Sequence, residues 1–507
     1  MYKNYKSKQF LIKDFGKRAY YKVSNLLIIK WIKNPQRCKN VNFFFHYLKK
    51  QGCEVELNKK AKCNRFRFIS EICTFDSMYQ SDNIFAVKKN NMSLISNEKN
   101  AREATAKGAV CLITNKNYPD YPCLVSNNPL DIYAKVCRYY RDITDKVSVV
   151  AITGSIGKST TKNMMGEVYK TTYRTTYTQA NGNTRMFVGH AVQRIPDDAE
   201  RMLQEVHEAN LNETRYISEI LHPDILCITP IDSSHLSRVG STEKIEEEIC
   251  SITEFMPING KVVVNIDEFN RFELLNGRKV ISISEKNRDA DFSLCDVVST
   301  NQGLSFFVFS KQTNTSYKII LNNIFAPHNA ICALYAFATG FCDGIPPEKI
   351  VEGLCRYKTK GVRQNVIHTP DNILVYADCY NAVGRSMKSA IDGADIITVS
   401  GKRIAVLGDI KEIGEFTEKM HKDVVRHLFG SKFNYLITLG EEMEKATSDY
   451  LENSHIQIIN CNSLEEVTSF LKSLVKSGDL VLFKASHSME LEKCIEKLWP
   501  EIYEETD

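Results

Sequence analysis

The stretch that most constrains this chain is a buried-type strand running straight into a glycine- and lysine-bearing turn. Residues 147–152 are apolar apart from Ser148, which suits a strand covered on both faces of a parallel sheet. Thr153-Gly154-Ser155-Ile156-Gly157-Lys158-Ser159-Thr160 follows, and the spacing predicts a helix over 159–169. Strand, glycine loop and helix in that order form the setting in which a loop cradles phosphate. Gly154 and Gly157 let the backbone approach a phosphate. Successive N–H groups from Ser155 to Thr160, at the helix start, present positive partial charge. Lys158 is placed to reach the β- and γ-phosphates of ATP, and the Ser159 hydroxyl to ligate Mg²⁺. The longer form of this motif wants glycine at position 152, where the chain has Ile152, so the match is to the shorter G-x-x-G-K-[ST] form. An ordinary turn between strand and helix is the bland alternative. Gly, Lys and Ser together after such a strand weigh against it.

The rest of the chain repeats the strand–helix rhythm. Strands are predicted at 83–87, 110–114 and 122–126, with helices at 98–106 and 130–140. Further strands are predicted at 224–229 and 261–266, with a helix over 243–255. A third set follows: strands at 373–377, 403–407, 435–439 and 480–483, and helices at 348–357, 386–391, 417–428 and 464–475. Strands alternating with helices imply an α/β protein whose parallel sheets are covered on both faces. At roughly 100–200 residues per domain, 507 residues suggest about three domains. The expected division is a basic extension over 1–70, a smaller α/β domain over 71–146, a central P-loop domain over 147–358, and a Rossmann-like domain over 359–507.

Charge is uneven. Residues 1–67 hold 18 Lys or Arg and the acids Asp14, Glu54 and Glu56, a local +15 against +5 for the whole chain, which leaves −10 for the rest. Three readings of this basic head stay open: a solvated extension folded onto the acidic body, a site for an anionic substrate or a peripheral membrane contact, or a nucleic-acid contact. No nucleic-acid motif accompanies it, so no nucleic-acid partner is expected. The apolar run at 26–29 is far short of the roughly 18 residues that a spanning helix needs. The sixteen cysteines form no C-x-x-C pair and read as reduced thiols of a cytoplasmic protein.

The motifs that follow the phosphate loop resemble those of the Mur ligase family, in the same order as that family's three domains, from about residue 72 to the end. Thr178-Gln179-Ala180-Asn181-Gly182-Asn183 is similar to the family's T-x-x-N-x-N substrate loop. Glu205 stands eighteen residues before Pro223, where the family has a magnesium-binding Glu, and His235 falls on the family's metal-binding His. Pro327-His328-Asn329-Ala330 resembles the H-N-x-x-N motif, which assigns Asn329 to the nucleotide; alone it reads as a helix cap. Arg363 sits near a family Arg that contacts ATP phosphates. Asp378-Cys379-Tyr380-Asn381-Ala382 resembles D-x-Y-N-A, and Gly408-Asp409-Ile410-Lys411-Glu412-Ile413-Gly414, with His421, resembles G-D-M-x-E-L-G…H. That last motif points to the branch that adds D-alanyl-D-alanine.

The resemblance implies an ATP-dependent carboxylate–amine ligase that works through an acyl phosphate in peptidoglycan precursor synthesis. Lys158, Glu205 and His235 would be catalytic. Ser159, Glu205 and His235 would hold Mg²⁺. Asn329, Arg363 and Asp378 would join the phosphate loop in binding ATP. Asn181, Asn183, Tyr380, Asn381, Asp409 and Glu412 would bind a nucleotide-sugar peptide and an amino acid or dipeptide. A monomer is expected. Taken singly, Glu205 and His235 read equally well as a solvated acid and a satisfied loop histidine.

Several positions depart from the family pattern. The family's carbamylated Lys falls on Ile249, within Glu246-Glu247-Glu248-Ile249-Cys250, and a neighbouring Glu is expected to supply the missing negative oxygen. The G-N-x-N-N loop reads Gly182-Asn183-Thr184-Arg185-Met186, D-S-R reads Asp76-Ser77-Met78, and the final S-R reads Ser486-His487. A second reading is therefore a nucleotide-binding relative without ligase activity, or one acting on a different substrate. A third is a plain P-loop ATPase or kinase.

Overall fold

A computed structural model describes residues 39–69, 72–74, 92–178, 182–208, 211–231, 241–300, 302–359, 361–411, 413–450 and 455–500. The chain forms two compact units: residues 1–148, 178–199 and 216–222, and residues 149–177, 200–215 and 223–507. The strand predicted at 83–87 and the 76–78 motif lie outside the described residues.

Among the described residues of the first unit, five strands form one sheet in the order Glu56–Leu57, Cys123–Val125, Cys111–Thr114, Met92–Leu94, Ile72–Thr74. The first pairing is antiparallel and the others are parallel. The extension expected over 1–70 therefore ends too late. The helix Val41–Lys50 is capped by Asn40 Oδ1, which accepts from Phe43 N–H at 2.8 Å. It buries Val41, Phe44 and Leu48, spaced i, i+3, i+7 on one face. The Phe44 ring lies edge-on to Tyr139, 5.5 Å between centroids, on the helix Pro129–Asp142. Of the 18 basic residues, Lys49 and Lys50 lie exposed in the last turn of this helix, and those of residues 1–38 lie outside the described residues.

Among the described residues of the second unit, nine strands form a sheet in the order Thr315–Asn322, Gly303–Ser310, Phe292–Thr300, Lys279–Ser284, Lys261–Asn265, Ile225–Ile228, Ser148–Thr153, Arg201–Glu205, Thr175–Tyr177. The pairings of 292–300 with 303–310 and of 303–310 with 315–322 are antiparallel, an arm that the α/β rhythm did not foretell. The core of this sheet is filled by the helix His328–Cys342, buried from Asn329 to Gly340, and by Lys158–Tyr169.

Six more strands form a second sheet in the order Asn365–His368, Leu374–Ala377, Leu480–Lys484, Arg403–Gly408, Tyr435–Leu439, Gln457–Cys461, parallel except for the first pairing. Its strands alternate between two cores. Ala405, Leu407, Leu480 and Leu482 face one, and Ile404, Val406, Val481 and Phe483 face the other. That is the period of two expected of a sheet covered on both sides. The cut expected near 360 separates these two sheets, but residues 223–507 hold together as one compact unit.

Candidate active site

The site is built at the carboxyl end of the strand Ser148–Thr153, where open α/β sheets bind ligands. Gly154 has φ +125°, and a Cβ there would lie 2.4 Å from the Thr229 carbonyl oxygen. The loop can therefore turn against its neighbouring strand only with glycine at this position. Ser155 and Ile156 N–H groups donate to the Pro230 carbonyl at 2.9 and 3.1 Å, fixing the loop's path. Gly157, at φ +82°, caps the helix Lys158–Tyr169 with no side-chain hydrogen bond, and no acid stands in its first turn. The first-turn amides, from Lys158 to Thr160, thus open on an uncapped N-terminus, which favours an anion.

Charged groups gather around this N-terminus. Lys158 Nζ donates to the Gly154 carbonyl and to Glu208 Oε1, the latter at 2.8 Å. Ser159 Oγ donates to Glu205 Oε2 at 2.9 Å. Lys162, one turn further along the same helix, lies 4.0 Å from Glu205 Oε2. Burial holds the Lys162 amine below its ordinary pKa, although the Glu205 charge opposes the shift. Two hard oxygen donors, the Ser159 hydroxyl and the buried Glu205 carboxylate, fit Mg²⁺, which prefers oxygen ligands. The helix that carries Ser159 packs against the strand Arg201–Glu205 that carries Glu205, so the pair is fixed by the scaffold. His235 lies outside the described residues, as do Asn181 and Glu412. Asn183 is described in the loop ahead of the helix Arg185–Gln193, in the first unit.

The second sheet brings further groups near. The Arg363 guanidinium lies 3.5 Å from the centre of the Tyr380 ring, and the His487 ring stacks beside Tyr380 at 5.0 Å. Burial pushes the Tyr380 hydroxyl above its ordinary pKa, opposed by Arg363 and reinforced by Glu205. This places the Arg363–Tyr380 pair within electrostatic reach of the Ser159–Glu205 pair. A cavity of about 310 Å³ adjoins the loop, lined by Gly157, Pro230, Ile331, Cys332, Arg385 and His427 among others.

Three residues expected to contact ligands also make contacts within the protein. Asn329 is wholly buried, and its Nδ2 donates to the Ala326 carbonyl and to Gln364 Oε1 at 2.7 Å; it braces Gln364 and does not line the cavity. Asp378 is ion-paired with buried Lys484 at 2.8 Å and accepts from the Gln364 N–H. Burial lifts its carboxyl above the usual range while Lys484 opposes the shift. Asp409 accepts from the Met443 N–H at 2.9 Å and from Lys411 Nζ at 2.8 Å. Both aspartates thus hold the protein's own loops. Asn381 is exposed, and its Oδ1 accepts from Ala382 N–H.

The acidic run also resolves. Glu246 and Glu247 lie against Arg271, at 3.4 and 3.3 Å. Glu248 is buried and accepts from the N–H groups of Asn212 and Thr214 at 2.8 and 2.9 Å. Ile249 is in the core. The oxygens of Glu248 are thus occupied by the Asn212 and Thr214 N–H groups and the Thr214 hydroxyl, which weighs against this residue as the expected replacement metal ligand. Sequence reading missed Glu208 and Lys162. The only signals were Lys162's position four residues after Lys158 and Glu208's three residues after Glu205.

Residues 152–340 match the Mur ligase middle domain, and residues 362–487 match the Mur ligase, glutamate ligase domain. The chain belongs to the Mur ligase family. Its curated relatives include the UDP-N-acetylmuramoyl-tripeptide–D-alanyl-D-alanine ligase of Bacillus subtilis, 28% identical over 408 residues, covering 78% of this chain and 86% of the relative. The protein of that name from Escherichia coli is 24% identical, covering 78% and 87%. The fold is similar to a crystal structure of MurF from Acinetobacter baumannii, with TM-score 0.76 and 21% identity over 90% of this chain and 98% of that one. It is also similar to MurF ligase from Thermotoga maritima in complex with ADP, with TM-score 0.71 and 21% identity over 82% and 96%. The ligase is therefore an ATP-dependent enzyme of the amide-forming class, with the three-part Mur architecture.

Proposed function

We propose that this ligase joins the carboxylate of a UDP-N-acetylmuramoyl-tripeptide to the amine of D-alanyl-D-alanine, with ATP as the energy source and an acyl phosphate as intermediate. The observation that carries the reading is the uncapped N-terminus of Lys158–Tyr169, with Lys158 and the Ser159–Glu205 pair beside it. The names of the curated relatives supply the substrates.

ATP must pass its γ-phosphoryl group to a carboxylate, so two anions must meet. The first-turn amides and Lys158 would take the terminal phosphates, which requires Lys158 to leave Glu208. Ser159 and Glu205 would hold Mg²⁺, which supplies positive charge to the phosphate oxygens. Lys162, 4.0 Å from Glu205 Oε2, would help to orient that carboxylate. Arg363, propped on Tyr380, would meet the transferring phosphate. The cavity beside Gly157 would take the nucleotide base. The amine nitrogen then attacks the acyl carbon, the bond to the phosphate oxygen breaks, and inorganic phosphate leaves with the electron pair.

This reading carries with it a cytoplasmic monomer; fourteen of the cysteines are free thiols. Among the described residues no helix is long and apolar enough to cross a membrane. The core position of Ile249 favours a second reading, a nucleotide-binding relative that does not complete ligation. The purified chain, given ATP, Mg²⁺ and both substrates, is expected to yield a product with the mass of the amide. ATP bound with no such product would overturn the ligase reading for these substrates.

A further inference from the structure

Lys158 does not face the phosphate site as a bare cation. Its Nζ is held by Glu208 Oε1 at 2.8 Å, and the Glu208 side chain is only 1% exposed. The other oxygen, Oε2, has no hydrogen-bond partner among the described residues and lies 3.9 Å from His207 Nδ1. Glu205, three residues earlier, holds Ser159. Two buried carboxylates therefore stand at a helix N-terminus whose amides and lysine must receive a polyphosphate.

Charge balance decides what such a site accepts. In the state described here, Lys158 and Glu208 neutralise each other. A phosphate that takes Lys158 leaves Glu208 buried without its counter-charge, and next to a newly arrived anion. Both effects oppose binding, because an ion stripped of its partner in a low-dielectric interior is strongly disfavoured. A ligand that brings its own divalent cation replaces the charge that Glu208 loses, and a bare polyanion does not.

We propose that Glu208 is a specificity residue that makes this site select cation-loaded nucleotide over metal-free nucleotide. It acts by holding Lys158 until a ligand arrives that compensates the displaced carboxylate. The role requires charge balance and no direct contact between Glu208 and the cation. It rests on the nucleotide-site reading above and concerns a residue outside the motifs that identify the family.

The test is calorimetric binding of the non-hydrolysable β,γ-imido analogue of ATP to the full chain, once in excess Mg²⁺ and once in EDTA. Neither arm depends on amide formation. The wild-type chain is expected to prefer the magnesium form. In Glu208→Gln, affinity for the metal-free analogue should rise by about tenfold or more, the scale of one removed charge–charge contact, while the magnesium form changes less than about threefold. Glu208→Ala should behave in the same way and serves if the Gln variant fails to fold. Glu208→Asp keeps the charge and should keep the preference. A neutral variant that retains the wild-type preference, or that weakens both forms equally, would overturn the proposal. So would loss of the preference in the Asp variant. Wild-type chain that binds neither form would overturn the nucleotide-site reading together with this one.

Discussion

Protonating His328 should unlatch the two sheets of the second unit, and the cost can be worked out. His328 opens the central helix His328–Cys342. Its Nδ1 faces Ser389 Oγ on the helix Gly384–Ile396, and its Nε2 lies 2.6 Å from Gln364 Nε2. Gln364 Oε1 accepts from Asn329, so Gln364 Nε2 must donate to the ring. The ring is therefore neutral, with its proton on Nδ1. Burial, then the charges of Lys484 and Arg385, push its pKa down to about 3. A folded value below the unfolded one means that this contribution is complete above about pH 6.5 and is lost as pH falls from there towards 3. Each pH unit in that window is worth about 1.36 kcal/mol, so going from about pH 8 to about pH 5.5 should remove about 1.4 kcal/mol, and to about pH 4.5 about 2.7 kcal/mol. The assay is urea unfolding of wild type and His328→Asn at these pH values. The variant should be less stable at pH 8 yet lose about 1.4 kcal/mol less than wild type on going to about pH 5.5. His421 is also held below its ordinary value by burial, but it is present in both proteins and cancels in the comparison. Equal losses in wild type and variant would refute the reasoning.

Glu248→Gln should cost about 1–3 kcal/mol of stability, since one acceptor oxygen is replaced by a donor facing backbone N–H groups, while the Mg²⁺ concentration for half-maximal phosphate release stays unchanged; a shifted Mg²⁺ requirement would restore this residue as a metal ligand. Asp378→Asn leaves Lys484 buried without its partner and should cost about 3–5 kcal/mol by denaturant unfolding, with a substantial part recovered in the Asp378→Asn, Lys484→Met double variant. Gly440→Ala places a Cβ 2.5 Å from the Asp409 carboxylate at φ +108°, so its thermal midpoint should fall by an amount equivalent to about 2 kcal/mol or more.

What the sequence disclosed follows from where each signal resides. The strands Ser148–Thr153, Arg403–Gly408 and Leu480–Lys484 are buried on both faces and read as apolar runs. The strand Thr315–Asn322 is half exposed, and its apolar run is only Ile319-Ile320-Leu321 after four residues that include Thr, Ser and Lys, so its local signal is weak. The strand Glu56–Leu57 exists only through its pairing with Cys123–Val125. Within the site, the phosphate loop was legible because its glycines, lysine and serine are contiguous. Glu208 was not, because its partner Lys158 lies fifty positions away in sequence and only the fold joins them. The acidic run shows the same limit. Three glutamates in a row look alike until the helix Thr242–Cys250 sets its register, which buries Ile245, Glu248 and Ile249 and turns Glu246 and Glu247 towards Arg271. Asp378 and Asp409 have motif-based roles in ligand binding, and the contacts that hold them within the protein, Lys484 and the Met443 N–H, come from distant segments that the sequence does not reveal.

The most direct test of an ATP-driven ligation through an acyl phosphate follows the oxygen atoms. The muramoyl-tripeptide is labelled with oxygen-18 in its terminal carboxylate and incubated with the chain, ATP, Mg²⁺ and D-alanyl-D-alanine, and the released phosphate is analysed by mass spectrometry. Attack by the carboxylate on the γ-phosphorus, followed by amine attack on the acyl carbon, predicts one labelled oxygen in each phosphate formed with the amide. Amide without label in the phosphate, or phosphate released at the same rate when either substrate is omitted, would contradict the account.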